Sequence, residues 1–212
     1  MPEKTATRNY RSALRAEQAA ATRRRVLEAA AACFVENGYS GTSLADIGTR
    51  AGVSTETVKA NGPKRNLLLG AFEQAFAGAE GDEPLSGSDA AVEIAGIAED
   101  DSFLKAAVGF VAAANARTSV LWTEFLSAAN ADTAVADALD GLLARRKKDY
   151  RSVVGMLIDR GLACPETDVE TAADGLSFLW SPESHQQLVL QSGWSMRRYE
   201  DWLAAAARRQ LG

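Results

Sequence analysis

The stretch GYSGTSLADIGTRAGVSTETVKANGPKRNLLL, residues 38–69, reads as two short helices joined by a tight turn and followed by a third. Asn37-Gly38 stops a preceding helix. Ser43 is placed to cap the first free amides of the next one, and Asp46, three residues on, sits at the positive end of its dipole. That helix carries Leu44 and Ile47 and runs to Ala51. Gly52 ends it in a left-handed conformation that other residues adopt only at a cost. Ser54 then caps a second helix, Thr55 to about Asn61. Two short helices around a glycine turn make a rigid corner that can lay its second helix in a DNA major groove.

Working outward, Pro63 suits the first turn of a fourth helix, which bears Leu67, Leu68, Ala71, Phe72 and Phe76 on one side. This helix is expected to join head to body. Upstream, a first helix is predicted from about Glu17 to Glu36, with Arg23, Arg24 and Arg25 on its solvent side. Residues 1–18 are polar and dotted with Lys4, Arg8, Arg11 and Arg15, and read as a flexible basic arm able to reach a neighbouring minor groove. Gly78 to Asp89 is the obvious loop. Further helices are predicted over Phe103–Ala114, Thr118–Ala129, Thr133–Gly161, Asp168–Trp180, Pro182–Gln191 and Ser195–Leu211. The expected division is an arm (1–18), a helix-turn-helix domain (19–66) and a larger helical domain (67–212). The fold class is all-α: an N-terminal three-helix helix-turn-helix domain followed by a larger helical ligand-binding and dimerisation domain.

Charge separates along the same line. The chain as a whole carries −5. Residues 1–70 nevertheless hold eleven Lys/Arg against six Asp/Glu, so the negative charge belongs to the remainder. A basic head on an acidic body concentrates attraction for phosphate at one end.

Several function classes are disfavoured. No Gly-rich phosphate loop, nucleophile elbow or HExxH occurs, and a single histidine, His185, would have to serve any acid–base scheme, so no enzyme is expected. Cys33 and Cys164 show no metal-ligand spacing, and Cys33 falls on an apolar helix face as a small buried hydrophobe. With no cofactor or metal signature, no export signal and no apolar run long enough for a membrane, a cytoplasmic location is expected. His185, beside Pro182 and Glu183, reads as a surface or capping residue.

The order Phe34…Gly38-Tyr39…Thr42-Ser43-Leu44-Ala45-Asp46-Ile47…Ala51-Gly52-Val53-Ser54…Thr57-Val58…Lys64…Leu67-Leu68 resembles the N-terminal domain of the TetR/AcrR family of transcriptional regulators. The closing pattern Trp180-Ser181-Pro182-Glu183…Gly193-Trp194-Ser195…Trp202-Leu203 resembles that of some members. The resemblance implies a homodimer whose head binds a double-stranded operator and whose body binds a small-molecule effector that releases the DNA. The chain departs from the family order at Val58-Lys59-Ala60-Asn61-Gly62-Pro63-Lys64, where a Tyr and a Phe are missing. A buried Phe is worth roughly 3–5 kcal/mol, so the recognition helix is expected to be loosely held or to end early. The alternative is a helical small-molecule-binding protein of the same fold with weakened or lost DNA binding.

Roles then follow from position. Thr42 and Ser43 lie at a helix start that can meet phosphate; Thr55, Glu56 and Thr57 begin the recognition helix; Lys59 and Lys64 are the phosphate cations beside it. In the body, Phe110, Trp122, Phe125, Met156, Phe178 and Trp180 supply apolar surface for a hydrophobic or aromatic effector. Tyr199, Trp202, Leu203 and Ala206 form a helical stripe that either packs within the chain or makes the dimer interface.

Overall fold

A computed structural model describes residues 3–81 and 88–211, with side chains from residue 13 onward. The described residues are helical and contain no strand. Helix α1 spans Glu3–Gly41 and breaks at Gly38, where φ is 74°. Then come α2 (Leu44–Ala51), α3 (Thr55–Ala60) and α4 (Lys64–Ala77). The body comprises α5 (Asp89–Ala95), α6 (Asp100–Ala131), α7 (Thr133–Asp159), α8 (Val169–Leu179), the four-residue α9 (Pro182–His185) and α10 (Met196–Leu211). Between α9 and α10 the chain continues in π-helical geometry over Gln186–Gln191.

Three expectations are corrected here. The segment expected as a flexible arm is helical from Glu3, continuous with α1. Its residues Leu14, Arg15, Ala16, Glu17, Gln18, Ala19 and Ala20 are strong helix formers that hold the helix in solvent without packing. Arg15 is exposed there, while the side chains of Arg8 and Arg11 lie outside the described residues. The two helices expected at Phe103–Ala114 and Thr118–Ala129 are one, α6. Asn115, Ala116 and Arg117 carry no breaker, and buried Asn115 is tied to tertiary partners instead of ending the helix. Third, Asp89–Ala95, short and capped by Ser88, forms a helix where the sequence reading had only the end of a loop. Residues 82–87 of that loop lie outside the described residues.

Two apolar clusters organise the molecule. One joins Val26, Leu27, Phe34, Ile47, Val58, Leu67 and Phe72 of the head to Trp122, Phe125, Val135 and Leu139 of α6 and α7. The other lies wholly in the body, among Phe103, Leu104, Val108, Tyr150, Val154, Leu157, Leu176, Trp180, Tyr199 and Leu203. Helix α6 contributes to both. The head core therefore runs without interruption through α4 into the body, and Phe72 meets the Trp122 ring at 5.1 Å.

Candidate functional site

The corner expected at residues 42–61 is built by complete capping. Ser43 Oγ accepts the Asp46 amide at 3.2 Å, and the Asp46 carboxylate accepts the Ser43 amide at 2.9 Å, closing a capping box. The Ser43 hydroxyl, with that amide, holds the Asp46 carboxyl below its usual range. Gly52 takes φ 66° and ψ 35°, and its amide returns to the carbonyls of Gly48 and Thr49. Gly48 allows the two helices to touch, since a Cβ there would stand 3.0 Å from the Val53 carbonyl oxygen. Ser54 Oγ then accepts from the Thr57 amide at 3.1 Å and starts α3.

Helix α3 faces outward. Val58 is its buried anchor, whereas the Glu56 and Lys59 side chains are 80% and 55% exposed and pair at 2.7 Å. Thr55 and Thr57 are half-buried beside them. Ser43 is exposed at the start of α2.

Thr42 and Lys64 belong to a different arrangement. Thr42 is 2% exposed, and its hydroxyl donates to the carbonyls of Cys33 and Gly38, at 3.0 and 2.8 Å. Buried and doubly bonded, it secures the end of α1 and does not face a phosphate. The Lys64 ammonium donates to Tyr39 O at 2.6 Å and Thr42 O at 2.9 Å, and lies 4.3 Å from the centre of the Tyr39 ring. Burial lowers its pKa, so desolvation is part of that position. Lys64 staples the break after Gly38 to α4. Glu124 of α6 meets the same break, accepting the Tyr39 amide at 3.2 Å.

The sequence reading missed Arg23. Its guanidinium donates to the carbonyl of Asn61, the residue that ends α3, and makes a two-point pair with Glu80 at 2.8 and 2.7 Å. Asn61 Nδ2 also turns back to the Thr57 carbonyl at 2.7 Å. Helix α3 runs over six residues with Asn61 as its C-cap, close to the expected Thr55 to about Asn61. Its end is tied down by a cation from α1 through the Asn61 carbonyl. Periodicity had marked Arg23 only as solvent-facing, and its partners lie 38 and 57 residues away.

Residues 26–58 match the family model described as bacterial regulatory proteins, tetR family. Over these residues the head is similar to that family. The whole fold is similar to that of a Mesorhizobium loti protein assigned to the TetR-family transcriptional regulators: 20% identity, TM-score 0.65, covering 91% of this chain and 96% of that one. It is also similar to MexZ, a repressor responsible for antibiotic resistance in Pseudomonas aeruginosa, at 20% identity and TM-score 0.59, covering 90% and 95%. No curated protein matches the sequence. The head that resembles this family thus sits on a body whose fold matches these structures, with no strand among its described residues.

The six body residues expected around an effector do not share one site. Trp122 and Phe125 are buried in the cluster that joins the head, Phe110 and Met156 border the body cluster, and Trp180 is buried within it. Phe178 is 75% exposed and lines no interior space. The α10 stripe is also corrected as an interface: Tyr199 and Leu203 are fully buried within the chain, Ala206 nearly so, and Trp202 is half-buried near Trp194. Helical spacing alone could not tell an inner stripe from an outer one.

A polar layer crosses the interior of the body. Asn115 Nδ2 donates to the Trp180 carbonyl at 3.3 Å and the Tyr199 hydroxyl at 3.0 Å. The Tyr150 hydroxyl donates to that same carbonyl at 3.2 Å, and the Ser184 and Tyr199 hydroxyls are hydrogen-bonded at 2.7 Å. His185, expected at the surface, is 3% exposed; its Nδ1 lies 3.0 Å from Ser119 Oγ and its ring stands on edge to Tyr199. Burial lowers its pKa and keeps it neutral. Burial likewise raises the Tyr150 hydroxyl, against the nearby Arg146 cation.

Proposed function

We propose that the protein is a homodimeric, ligand-responsive transcriptional regulator: a repressor that binds a double-stranded operator and is released from it by a small molecule. The observation that carries this reading is the outward face of α3, capped at Ser54, anchored by Val58 and Arg23, and presenting Thr55, Glu56, Thr57 and Lys59. A stiff helix beside a basic head can read base edges, with Glu56 accepting from a cytosine amino group and Lys59 meeting phosphate. In a dimer the two helices would address half-sites about 34–36 Å apart. Acting on DNA, the protein would work in the cytoplasm.

The coupling runs through α4. Arg117 of α6 donates to the Ala75 and Phe76 carbonyls at 2.9 and 3.2 Å, and Arg145 of α7 pairs with Glu73, so α4 is strapped to the body at its far end. Effector occupancy would tilt α4 and change the separation of the two heads. A ligand produces that only if it binds the two states unequally. With α10 turned inward, the exposed Phe178 and Leu190 offer the apolar contacts for the second copy.

The departure at Val58-Lys59-Ala60-Asn61-Gly62-Pro63-Lys64, which lacks a Tyr and a Phe, favours a second reading, a ligand-binding protein of this fold with weakened or lost DNA binding. A gel shift with DNA from the protein's own upstream region, at low and moderate salt, separates the two. Specific, salt-sensitive retardation supports the regulator. Retardation of no sequence at either salt supports the second reading.

A further inference from the structure

The Glu80 that grips Arg23 belongs to a series of polar contacts that leaves the head. Helix α4 is capped by Gly78, whose φ of 83° turns the chain back over the helix. The turn brings Glu80 to Arg23 and lets the Gly81 amide donate to Glu73 Oε2 at 3.1 Å. The other oxygen of that carboxylate, Oε1, accepts from Arg145 of α7 at 2.5 Å. An unbroken series therefore runs from Arg145 through Glu73, Gly81, Glu80 and Arg23 to the carbonyl of Asn61, at the end of α3. Its ends are a body helix and the helix that faces outward from the head. Room for the crossing is provided at Gly70, where a Cβ would stand 2.6 Å from Glu80 Oε2 and 3.2 Å from Arg23 Nη2. The Glu73 and Arg23 side chains are only 12% and 23% exposed, so water screens these pairs less than it does a surface pair.

We infer that this series is a relay that ties the end of α3 to the position of α7, over the outside of α4. The inference rests on the proposed regulator reading and gives the body a route to the DNA-facing helix besides the tilt of α4. The geometry of Arg23 is what makes the route directional. Its Nε and Nη2 grip the two oxygens of Glu80, and a planar guanidinium held on that edge has its remaining nitrogen, Nη1, aimed at Asn61. Moving Glu80 therefore moves the donor at the end of α3. The carbonyl it serves lies in the last turn of a helix, where no intrahelical amide is left to bind it. Glu80 in turn is positioned by its neighbour Gly81, which Glu73 holds, and Glu73 is held by Arg145. A shift of α7 that opens the pair with Glu73 releases the turn after Gly78, and with it the end of α3.

Hydrogen exchange on the full-length chain reads the relay at the Asn61 and Gly62 amides, which bond to the Val58 and Lys59 carbonyls. Arg145→Met, a change on α7, is expected to speed exchange at these two amides roughly fivefold or more. The Asp46 amide at the start of α2 and the amides of α10 should stay within about twofold of wild type, which general destabilisation would not allow. Glu80→Gln, in the middle of the series, should act like Arg145→Met. The double variant Arg23→Met/Arg145→Met should exchange no faster than Arg23→Met alone, because both changes cut one series. Wild-type protection of Asn61 and Gly62 in folded Arg145→Met overturns the inference, as do effects that multiply in the double variant. Should Arg145→Met fail to fold, Glu80→Gln decides, and wild-type protection there overturns the relay. Anisotropy with DNA from the protein's own upstream region separates the two levels. If the wild-type chain binds that DNA while the variants keep their protection, only the relay falls. If the wild-type chain binds no DNA, the regulator reading falls, and exchange still decides whether α7 holds the end of α3.

Discussion

In the head, the groups that shape the helix-turn-helix find partners within a few positions: Ser43 with Asp46, Ser54 with Thr57, and Thr42 with the Gly38 carbonyl. In the body, a layer of Asn115, Tyr150, Trp180, Ser184 and Tyr199 is bonded together yet leaves two polar atoms, Asn115 Oδ1 and Trp180 Nε1, without a partner among the described residues. The contrast separates two tasks. A surface that must present one geometry to a rigid partner gains from closing every bond locally. On the proposed reading the body would accept and release a ligand, for which groups with exchangeable partners are suited. The two are mechanically joined because α6 contributes to both cores and touches both α4 and the α1 break.

The hardest blow to this contrast is dealt at the seam. Phe72→Ala empties the space between Trp122, Phe125 and Phe76 and is expected to cost about 3–5 kcal/mol. Calorimetry should show the loss, with the head melting ahead of the body. A single undiminished transition would mean that the shared core does not hold the two parts together. Next in size, Arg23→Met removes the donor at the end of α3 without moving its start. A lost charge-assisted bond of about 1.5–3 kcal/mol should appear as roughly ten- to hundredfold weaker operator binding by anisotropy, with overall helicity retained. Unchanged affinity would return the anchoring of α3 to Val58 alone.

His185 tests the body side. Its folded pKa lies below the ordinary 6.5, so the unfolded chain takes up a proton that the folded chain refuses. Stability is therefore lost as pH falls below about 6.5, and His185→Gln should flatten the drop in melting temperature between pH 7.5 and 5.5. An equal drop in the variant would show that the buried ring is not what the acid attacks. The smallest effect is expected at Lys59. Its pair with Glu56 is exposed, so Lys59→Ala should leave the melting temperature unchanged while lowering the salt slope of DNA binding by about 0.9. If the salt slope stays the same, Lys59 meets no phosphate.

How much was legible beforehand depended on sequence distance. The turn 42–61 could be read residue by residue because its caps, its Gly52 and its Ser54 act on neighbours within three or four positions. The same reading misplaced Thr42 and Lys64, whose side chains serve residues 9 and 25 positions away. It set Tyr199, Leu203 and Ala206 on a stripe without knowing which way the stripe turned, and took buried His185 for a surface residue.

What the sequence determined by itself is an all-helical chain with a basic, capped helix-turn-helix at its front, since propensity, capping and charge are local. Only the tertiary structure decided that Arg23 ties down the end of α3, that α10 packs inward and that α6 carries both cores. Each of these joins residues dozens of positions apart, and such partnerships form only when helices are laid against one another.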